Sequence, residues 1–378
     1  MARIAIPAET AANETRVAAT PETVKKYTAL GCDVVVQRDA GVHAYFTDAA
    51  YEEAGASLAD DFVSTVQGAD VVLKIQPLNQ DEIKAVSKGA VVASLCAPFT
   101  NPLLADYNTQ GITTFCMEMI PRTSRAQSMD VLSSQANIAG YKAVLLALEH
   151  YQKFMPMLMT AAGTVQSAKV LVMGAGVAGL QAIATARRLG AMVEAFDVRA
   201  AAKEQVESLG AKFVEVPQDS ETAEDAGGYA KEMSDEYKQK QAALIAEHAA
   251  KADIVITTAL IPGRPAPVLV TEETVAKMKQ GAVIVDMAVE AGGNCPLSEK
   301  DAVYRSQGVT FVGWSNLPAM LATDASALYA KNMLNFMGLM LDKETGDLNI
   351  DREDDIIQGA LLCMDGEFLK PDLLKGSA

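Results

Sequence analysis

Short apolar runs recur along the chain, separated by stretches in which apolar positions return every three or four residues. That alternation marks strands joined by helical crossovers, and hence parallel sheets. In the first third, Arg3–Pro7, Asp33–Gln37, Asp70–Gln76, Ala90–Cys96 and Ile112–Met117 read as strands. Between the first two, Pro21–Leu30 reads as a helix, with Thr20 as N-cap, proline in the first position and Gly31 as terminator. Asn101–Gln110 follows the same plan before Gly111. A further helix is expected from near Ser134, where Ile138, Tyr141, Leu145 and Leu148 share one face. After Met155–Met159 a second series begins, with strands expected at Lys169–Met173, Met192–Asp197, Lys212–Val216, Asp253–Thr258, Ala282–Asp286 and Thr310–Gly313. Ala325–Leu341 is again helical, and the acidic Asp342–Asp355 reads as a loop before a tail expected to return to the first domain. The expected fold class is α/β: two doubly wound parallel-sheet (Rossmann-like) domains with a ligand cleft between them. Their expected bounds are residues 1–133 plus 317–378, and 134–316. Asp70-Val-Val and Asp253-Ile-Val each follow an alanine and lead into Lys88-Gly-Ala-Val-Val92 and Gln280-Gly-Ala-Val-Ile284. Either the two halves are related α/β units or these are ordinary openings of parallel strands.

Composition narrows the partners. The 378 residues are 50% hydrophobic and 21% charged, which is globular. With 32 basic and 48 acidic residues the net charge is −16, and such a surface repels phosphate backbones, so nucleic-acid binding is not expected. No window offers eighteen consecutive apolar residues, and Met1–Pro7 lacks a signal-peptide core. A soluble, cytoplasmic chain without a direct membrane span is therefore expected. The five cysteines (Cys32, Cys96, Cys116, Cys295, Cys363) form no Cys-x-x-Cys pair, and only His43, His150 and His248 accompany them. Spacing thus predicts neither a disulfide framework nor a zinc site, and no metal.

Residues 169–179 carry the most specific chemistry. A strand runs into Gly174-Ala-Gly176-Val-Ala-Gly179, then into the helical Leu180–Leu189. Gly174 permits the tight turn, Gly176 lets backbone approach a pyrophosphate, and Gly179 lets helix and strand pack. The helix N-terminus offers free N–H groups and the positive end of its dipole, and Val177 and Ala178 stand between the second and third glycines as further cofactor-binding candidates. The next strand ends in Asp197, eighteen residues after Gly179, where a carboxylate accepts hydrogen bonds from ribose hydroxyls and repels a 2′-phosphate. NAD is favoured over NADP, although Arg199 could pair with a phosphate; the alternative for Asp197 is to cap a helix from Ala200. The first domain has no such loop: Ala8-Glu-Thr-Ala-Ala-Asn follows its first strand. One chain is expected to hold one dinucleotide, in the cleft.

Two polar segments add candidates. In Pro121–Gln135, Arg122, Gln127, Asp130 and Ser133 could hold a nicotinamide carboxamide and its ribose, or the segment simply caps the next helix through Ser133 or Ser134. Asp219–Tyr237 is acidic and contains Ala226-Gly-Gly-Tyr229, which suggests a mobile loop, either solvated or a lid.

At these motifs the chain resembles the soluble NAD(H)-binding subunit (domain I) of proton-translocating NAD(P) transhydrogenases. The resemblance covers essentially the whole length. Its specific stretches are Arg122–Gln135, Gly174–Arg199, Lys203–Gly210, Gly227–Lys231, Thr257–Gly263 and Glu290–Pro296. It implies an NAD(H)-binding homodimer that passes hydride to NADP⁺ on a separate NADP(H)-binding domain, while a membrane-embedded proton-channel partner couples transfer to proton translocation. It implies a cytoplasmic protein, peripheral to the membrane through those partners. By position it assigns nicotinamide orientation to Arg122, Gln127, Asp130 and Ser133. It assigns nucleotide contacts to Val177, Asp197, Val198 and Arg199, and the mobile loop and wider surroundings to Gly228, Tyr229, Gln241 and Leu260.

Two other readings stand beside this one. Alanine dehydrogenases are a related family, and Arg16 and Lys74 fall where that family keeps substrate-binding cations. Cys96 falls at its catalytic histidine and Glu290 at its aspartate, so the acid–base pair that amino-acid dehydrogenation needs is missing. A non-catalytic NAD-binding regulator would leave Arg122–Ser133 without a purpose.

Overall fold

The computed structural model describes residues 1–215 and 235–375. The chain divides into two compact units, Met1–Gln135 with Pro318–Ala378, and Ala136–Leu317.

The first unit is built on strands β1 (Arg3–Ile6), β2 (Asp33–Gln37), β3 (Ser57–Ala59), β4 (Val71–Leu73), β5 (Val91–Ser94) and β6 (Thr113–Cys116). They pair in parallel in the order β3-β2-β1-β4-β5-β6. The winding reverses beside β1, as in doubly wound sheets. A hairpin, Leu361–Met364 with Glu367–Phe368, adds antiparallel to β6. The inner strands are buried on both faces, which is why they read as unbroken Val/Ile runs. One face packs Ile4, Val34, Leu73 and Phe115 against Tyr329 and Phe336 of a helix over Ala322–Met337. The other packs Val72 and Val92 against Ile83 and Tyr107.

The second unit holds a hairpin of β7 (Leu158–Thr160) and β8 (Gly163–Val165), and a larger sheet. That sheet comprises β9 (Lys169–Met173), β10 (Met192–Phe196), β11 (Lys212–Phe213), β12 (Ile254–Thr257), β13 (Val283–Asp286), β14 (Val303–Ser306) and β15 (Val309–Val312). Its order is β11-β10-β9-β12-β13-β15-β14, parallel except for β14.

The Asp70 and Asp253 openings do the same job in the two sheets. Asp70 accepts a hydrogen bond from Arg3 N at 2.8 Å, and Asp253 from Lys169 N at 2.9 Å. Each carboxylate thereby pins the start of its sheet's first strand. Gly89 N and Gly281 N each donate, at 2.8 Å, to the carbonyl of a glycine just before the next strand, Gly111 and Gly308. This shared local geometry favours related units over coincidence.

Several boundaries differ from the expectations. Asp33–Gln37 and Lys169–Met173 are strands over the expected residues, Thr310–Gly313 is shifted by one residue to Val309–Val312, and the other strands are one to four residues shorter, Asp70–Gln76 most of all. The edge strands β3 and β14, and both hairpins, lack a legible period. The helix expected over Asn101–Gln110 spans Leu104–Gln110, because Asn101 turns its side chain to Leu103 N and the Cys96 carbonyl instead. The helix expected near Ser134 begins at Val131. Asp130, rather than Ser133 or Ser134, caps it, accepting Ser133 N at 2.9 Å and Ser133 Oγ at 2.6 Å. The helix expected over Ala325–Leu341 spans Ala322–Met337.

Candidate functional site

The site starts at the end of β9. Gly174 has φ +101°, and a Cβ there would lie 2.4 Å from Thr258 Oγ1. Thr258 Oγ1 in turn donates to the Gly174 carbonyl at 3.0 Å and locks the turn. A Cβ on Gly179 would lie 1.8 Å from the Gly174 carbonyl oxygen. At Gly176 the reverse holds: φ is −73°, and a Cβ would meet nothing within 4 Å. The helix Val177–Arg188 starts here without a side-chain cap. An open space in front of an uncapped helix N-terminus suits an anion. Val177 is exposed and Ala178 half-buried at this rim. These residues fit a pyrophosphate-bearing cofactor.

Asp197 follows β10, with its side chain 6% exposed. Its Oδ2 accepts Ala175 N at 2.7 Å, which ties it to the glycine loop. Its Oδ1 accepts Arg199 N at 2.8 Å, and the Arg199 guanidinium reaches both oxygens at 3.0 Å. It does not cap the next helix, whose flanking residue is Ala201. Half-buried Val198 packs against the sheet core. The carboxylate thus holds Arg199, a cation that could otherwise have favoured a 2′-phosphate.

Leu260 is exposed on the loop after β12, and half-buried Gln241 lies on the helix Asp235–Lys251. Gly228 and Tyr229, with most of the Asp219–Tyr237 segment, lie outside the described residues. Reading the motif alone missed three supports of this loop. Asn294, fully buried, donates to the carbonyls of Ala259 and Pro267 and accepts Ala259 N. Asp286 gathers Thr257 Oγ1, Ala288 N and Cys295 N. A Cβ on Gly140 would lie 2.1 Å from the Ala178 carbonyl, so glycine lets the helix Val131–His150 press against the start of the next. The signal for Asn294 lay in Glu290–Pro296, whose glycines mark a tight turn.

In the first unit, Ser124–Met129 forms a 3-10 turn. The Ser128 carbonyl accepts Asn332 Nδ2 at 2.8 Å and Asn335 Nδ2 at 3.0 Å. Arg125 grips Asp354 through two bonds of 2.7 Å and also pairs with Asp355. The side chains of Gln127, on this fixed turn, and of Arg122, just before it, are exposed and have no partner among the described residues. Asp130 and Ser133 bond to each other at the helix start, so the segment does cap a helix, through Asp130.

The residues that answer to substrate cations are otherwise engaged. Arg16 donates to Glu14 through Nε at 2.7 Å and Nη2 at 2.6 Å, and to Gln135 Oε1 at 2.8 Å. Lys74, 1% exposed, lies 3.2 Å from Glu82 and 3.4 Å from Glu9. Burial pushes the Glu9 carboxyl up, against the opposing charge of Lys74. Burial also acts on Glu14, but the Arg16 hydrogen bonds and charge outweigh it and hold Glu14 low. Cys96 is buried, and Glu290 is exposed and paired with Lys300.

Comparison with known proteins places this geometry. Residues 5–139 match the family description "Alanine dehydrogenase/PNT, N-terminal domain", and residues 143–371 the corresponding C-terminal domain. An NAD(P) transhydrogenase subunit alpha protein of Rhodospirillum rubrum is 52% identical, over 98% of both chains. The chain belongs to the NAD(P) transhydrogenase alpha-subunit family. The crystal structure of a transhydrogenase from Sinorhizobium meliloti, 49% identical, superposes with a TM-score of 0.88 over 97% of this chain and 99% of the other. An alanine dehydrogenase of Halomonas elongata is more distant, at 29% identity over 97% of this chain and 94% of its own. Membership implies an oxidoreductase family and NAD(H) as cofactor. Among the described residues no helix is long and apolar enough to cross a membrane.

Proposed function

We propose that this alpha-subunit chain presents NAD(H) for direct hydride exchange with NADP(H) held on a separate partner domain, and that a membrane-embedded partner couples the exchange to proton translocation. NADH supplies the hydride; the protein needs no nucleophile and no proton shuttle at the reacting carbon. Its task is placement, with reacting carbons about 3–3.5 Å apart and water excluded. The backbone at Gly174, Gly176 and Gly179, with Val177 and Ala178, would cradle the pyrophosphate. Asp197, with Val198 and Arg199, would bind the adenosine ribose. Arg122 and Gln127 would orient the nicotinamide, with Asp130 and Ser133 holding their segment, and Gly228, Tyr229, Gln241 and Leu260 would complete the surroundings.

One observation carries this reading over amino-acid dehydrogenation. The buried cations that would grip a carboxylate substrate, Arg16 and Lys74, are already matched by Glu14, Glu9 and Glu82. A homodimer is supported by the β7–β8 hairpin, where Leu158, Met159 and Val165 are exposed beside Phe154 and Met157. Apolar groups concentrated on one exposed hairpin suit an interface. Attachment at the cytoplasmic membrane face would then come through the partners.

The deciding experiment mixes the purified chain with an NADP(H)-binding partner domain. Hydride transfer from NADH to NADP⁺, with no alanine-dependent NAD⁺ reduction by the chain alone, is the expected result. NADH binding without transfer would favour a regulator, and alanine turnover would favour a dehydrogenase.

A further inference from the structure

Cys96 and Cys116 are twenty residues apart, too far for spacing to suggest a shared site. The sheet removes that separation. Ser94 of β5 is the register partner of Cys116, the last residue of β6, and Cys96 lies two residues beyond Ser94. Among the described residues this is the one place where three metal-ligating groups converge: Cys96 Sγ, Cys116 Sγ and a Glu118 carboxylate oxygen lie within 4.8 Å of one another. We propose that Cys96, Cys116 and Glu118 bind one thiophilic divalent ion of the zinc class.

The distances and supports fit such an ion. A tetrahedral centre with bonds of about 2.3 Å to sulfur and about 2.0–2.2 Å to oxygen sets its ligand atoms roughly 3.5–3.8 Å apart. The present arrangement needs to contract by about an ångström or less to reach that. Glu118 is positioned by Cys96 N at 2.9 Å and Ala97 N at 2.7 Å, and Cys116 Sγ donates to it at 3.1 Å. Asn101 Nδ2 holds the Cys96 carbonyl at 3.0 Å. Ala97 sits at φ +48°, a strained conformation for a residue with a Cβ, which these bonds maintain. Ser94 Oγ lies 3.9 Å from Cys96 Sγ. Leu104 and Leu362 are buried around the sulfurs, and such an apolar shell strengthens thiolate coordination. Exposed Ala97 and half-buried Glu118 form the side from which an ion enters.

The charges balance as well. Binding then reads: one divalent ion plus two thiols and the Glu118 carboxylate gives a dithiolate–carboxylate complex and two released protons. The complex carries a net charge of −1.

The test uses the full chain, reduced with a phosphine, titrated with Cd²⁺ and then Zn²⁺. The expected result is one equivalent of the ultraviolet thiolate-to-cadmium band, bleached by Zn²⁺. Two protons are released per ion, and apparent affinity rises about a hundredfold per pH unit. Cys96→Ser with Cys116→Ser removes the band, while Cys32→Ser, Cys295→Ser and Cys363→Ser leave it intact. Glu118→Gln keeps both sulfurs and weakens affinity about tenfold or more, and metal-free melting curves verify that each variant folds. A missing band, a band that survives the double substitution, or binding without proton release (surface carboxylates only) overturns the proposal.

Discussion

Replacing Glu14 with alanine tests the idea that this chain has closed off a carboxylate site with its own side chain. Glu14 is fully buried and accepts Arg16 Nε at 2.7 Å, Arg16 Nη2 at 2.6 Å and Gln76 Nε2 at 2.7 Å. Without it, Arg16, 4% exposed, keeps Gln135 Oε1 as its side-chain partner among the described residues. Stranding one partner of a buried ion pair costs about 3–5 kcal/mol, because the other charge is left in low dielectric. Against a total stability of roughly 5–15 kcal/mol, that is a large loss. Urea unfolding followed by circular dichroism reads it as a lower midpoint at unchanged slope. The folded pKa of Glu14 lies below its ordinary value of 4.5, so its contribution is present above that pH and is lost as pH falls through the folded value. The gap between parent and Glu14→Ala should therefore be full at pH 7 and narrow below about 4.5. Acetate, a small carboxylate shaped like the deleted group, should restore part of the loss in the variant and none in the parent. A cost under about 1 kcal/mol, or equal acetate effects in both proteins, would refute the reasoning.

Other predictions follow from the same geometry. Gly176→Ala should fold with nearly the parent midpoint yet weaken NADH binding, since its new methyl takes open space, whereas Gly179→Ala should destabilise by more than about 2 kcal/mol through its clash with the Gly174 carbonyl; comparable midpoints for the two would contradict this, and calorimetry with urea curves measures both. Asp197→Asn should lower affinity for NADH about 10–100-fold and raise the relative affinity for NADPH, because Arg199 is released; equilibrium fluorescence titration decides. Gln127→Leu should slow transfer in the reconstituted assay far more than it weakens NADH binding, while Asp130→Asn should also cost about 1 kcal/mol of stability through its helix cap. Met159→Asp on the exposed hairpin should break the proposed homodimer, read as a monomer in sedimentation runs where the parent sediments as a dimer, with its fold unchanged.

The buried parallel strands and the glycine loop are legible in the amino-acid order, whereas whatever depends on register is hidden in it. β9 reads from its Val/Leu run because both its faces are buried, and Gly174–Gly179 reads because each glycine answers a steric demand visible in the motif. The strands β3, β14 and Leu361–Met364 lie toward the sheet edges, where neighbours rather than period decide pairing. Ser133 is a reasonable cap by residue type, but Asp130 reaches the helix N–H groups first. Arg125, Asn332 and Asn335 give no signal, since their partners lie more than two hundred residues away along the chain. For the same reason Cys96 and Cys116 look isolated until β5 and β6 are paired.

The two sheets, opened by the same aspartate device, have settled the loop after their first strand in opposite ways. After β9 the backbone runs through glycines and leaves space before a helix N-terminus. After β1 the chain carries Glu9, whose carboxylate accepts Ile75 N at 2.6 Å and Gln76 N at 3.3 Å beyond the end of β4. The equivalent amide beyond β12, Ala259 N, is taken by the neutral Asn294 side chain at 3.1 Å. An anion approaching the first unit's crevice would meet a buried carboxyl already seated on the donors it needs, and a charge brought against it in low dielectric is costly. In the second unit the corresponding donor is held by an amide that adds no charge, so a pyrophosphate meets only the helix dipole and open backbone. On the proposed reading, a single nucleotide per chain, rather than one per sheet, would follow from which side chain each unit placed at the same topological position.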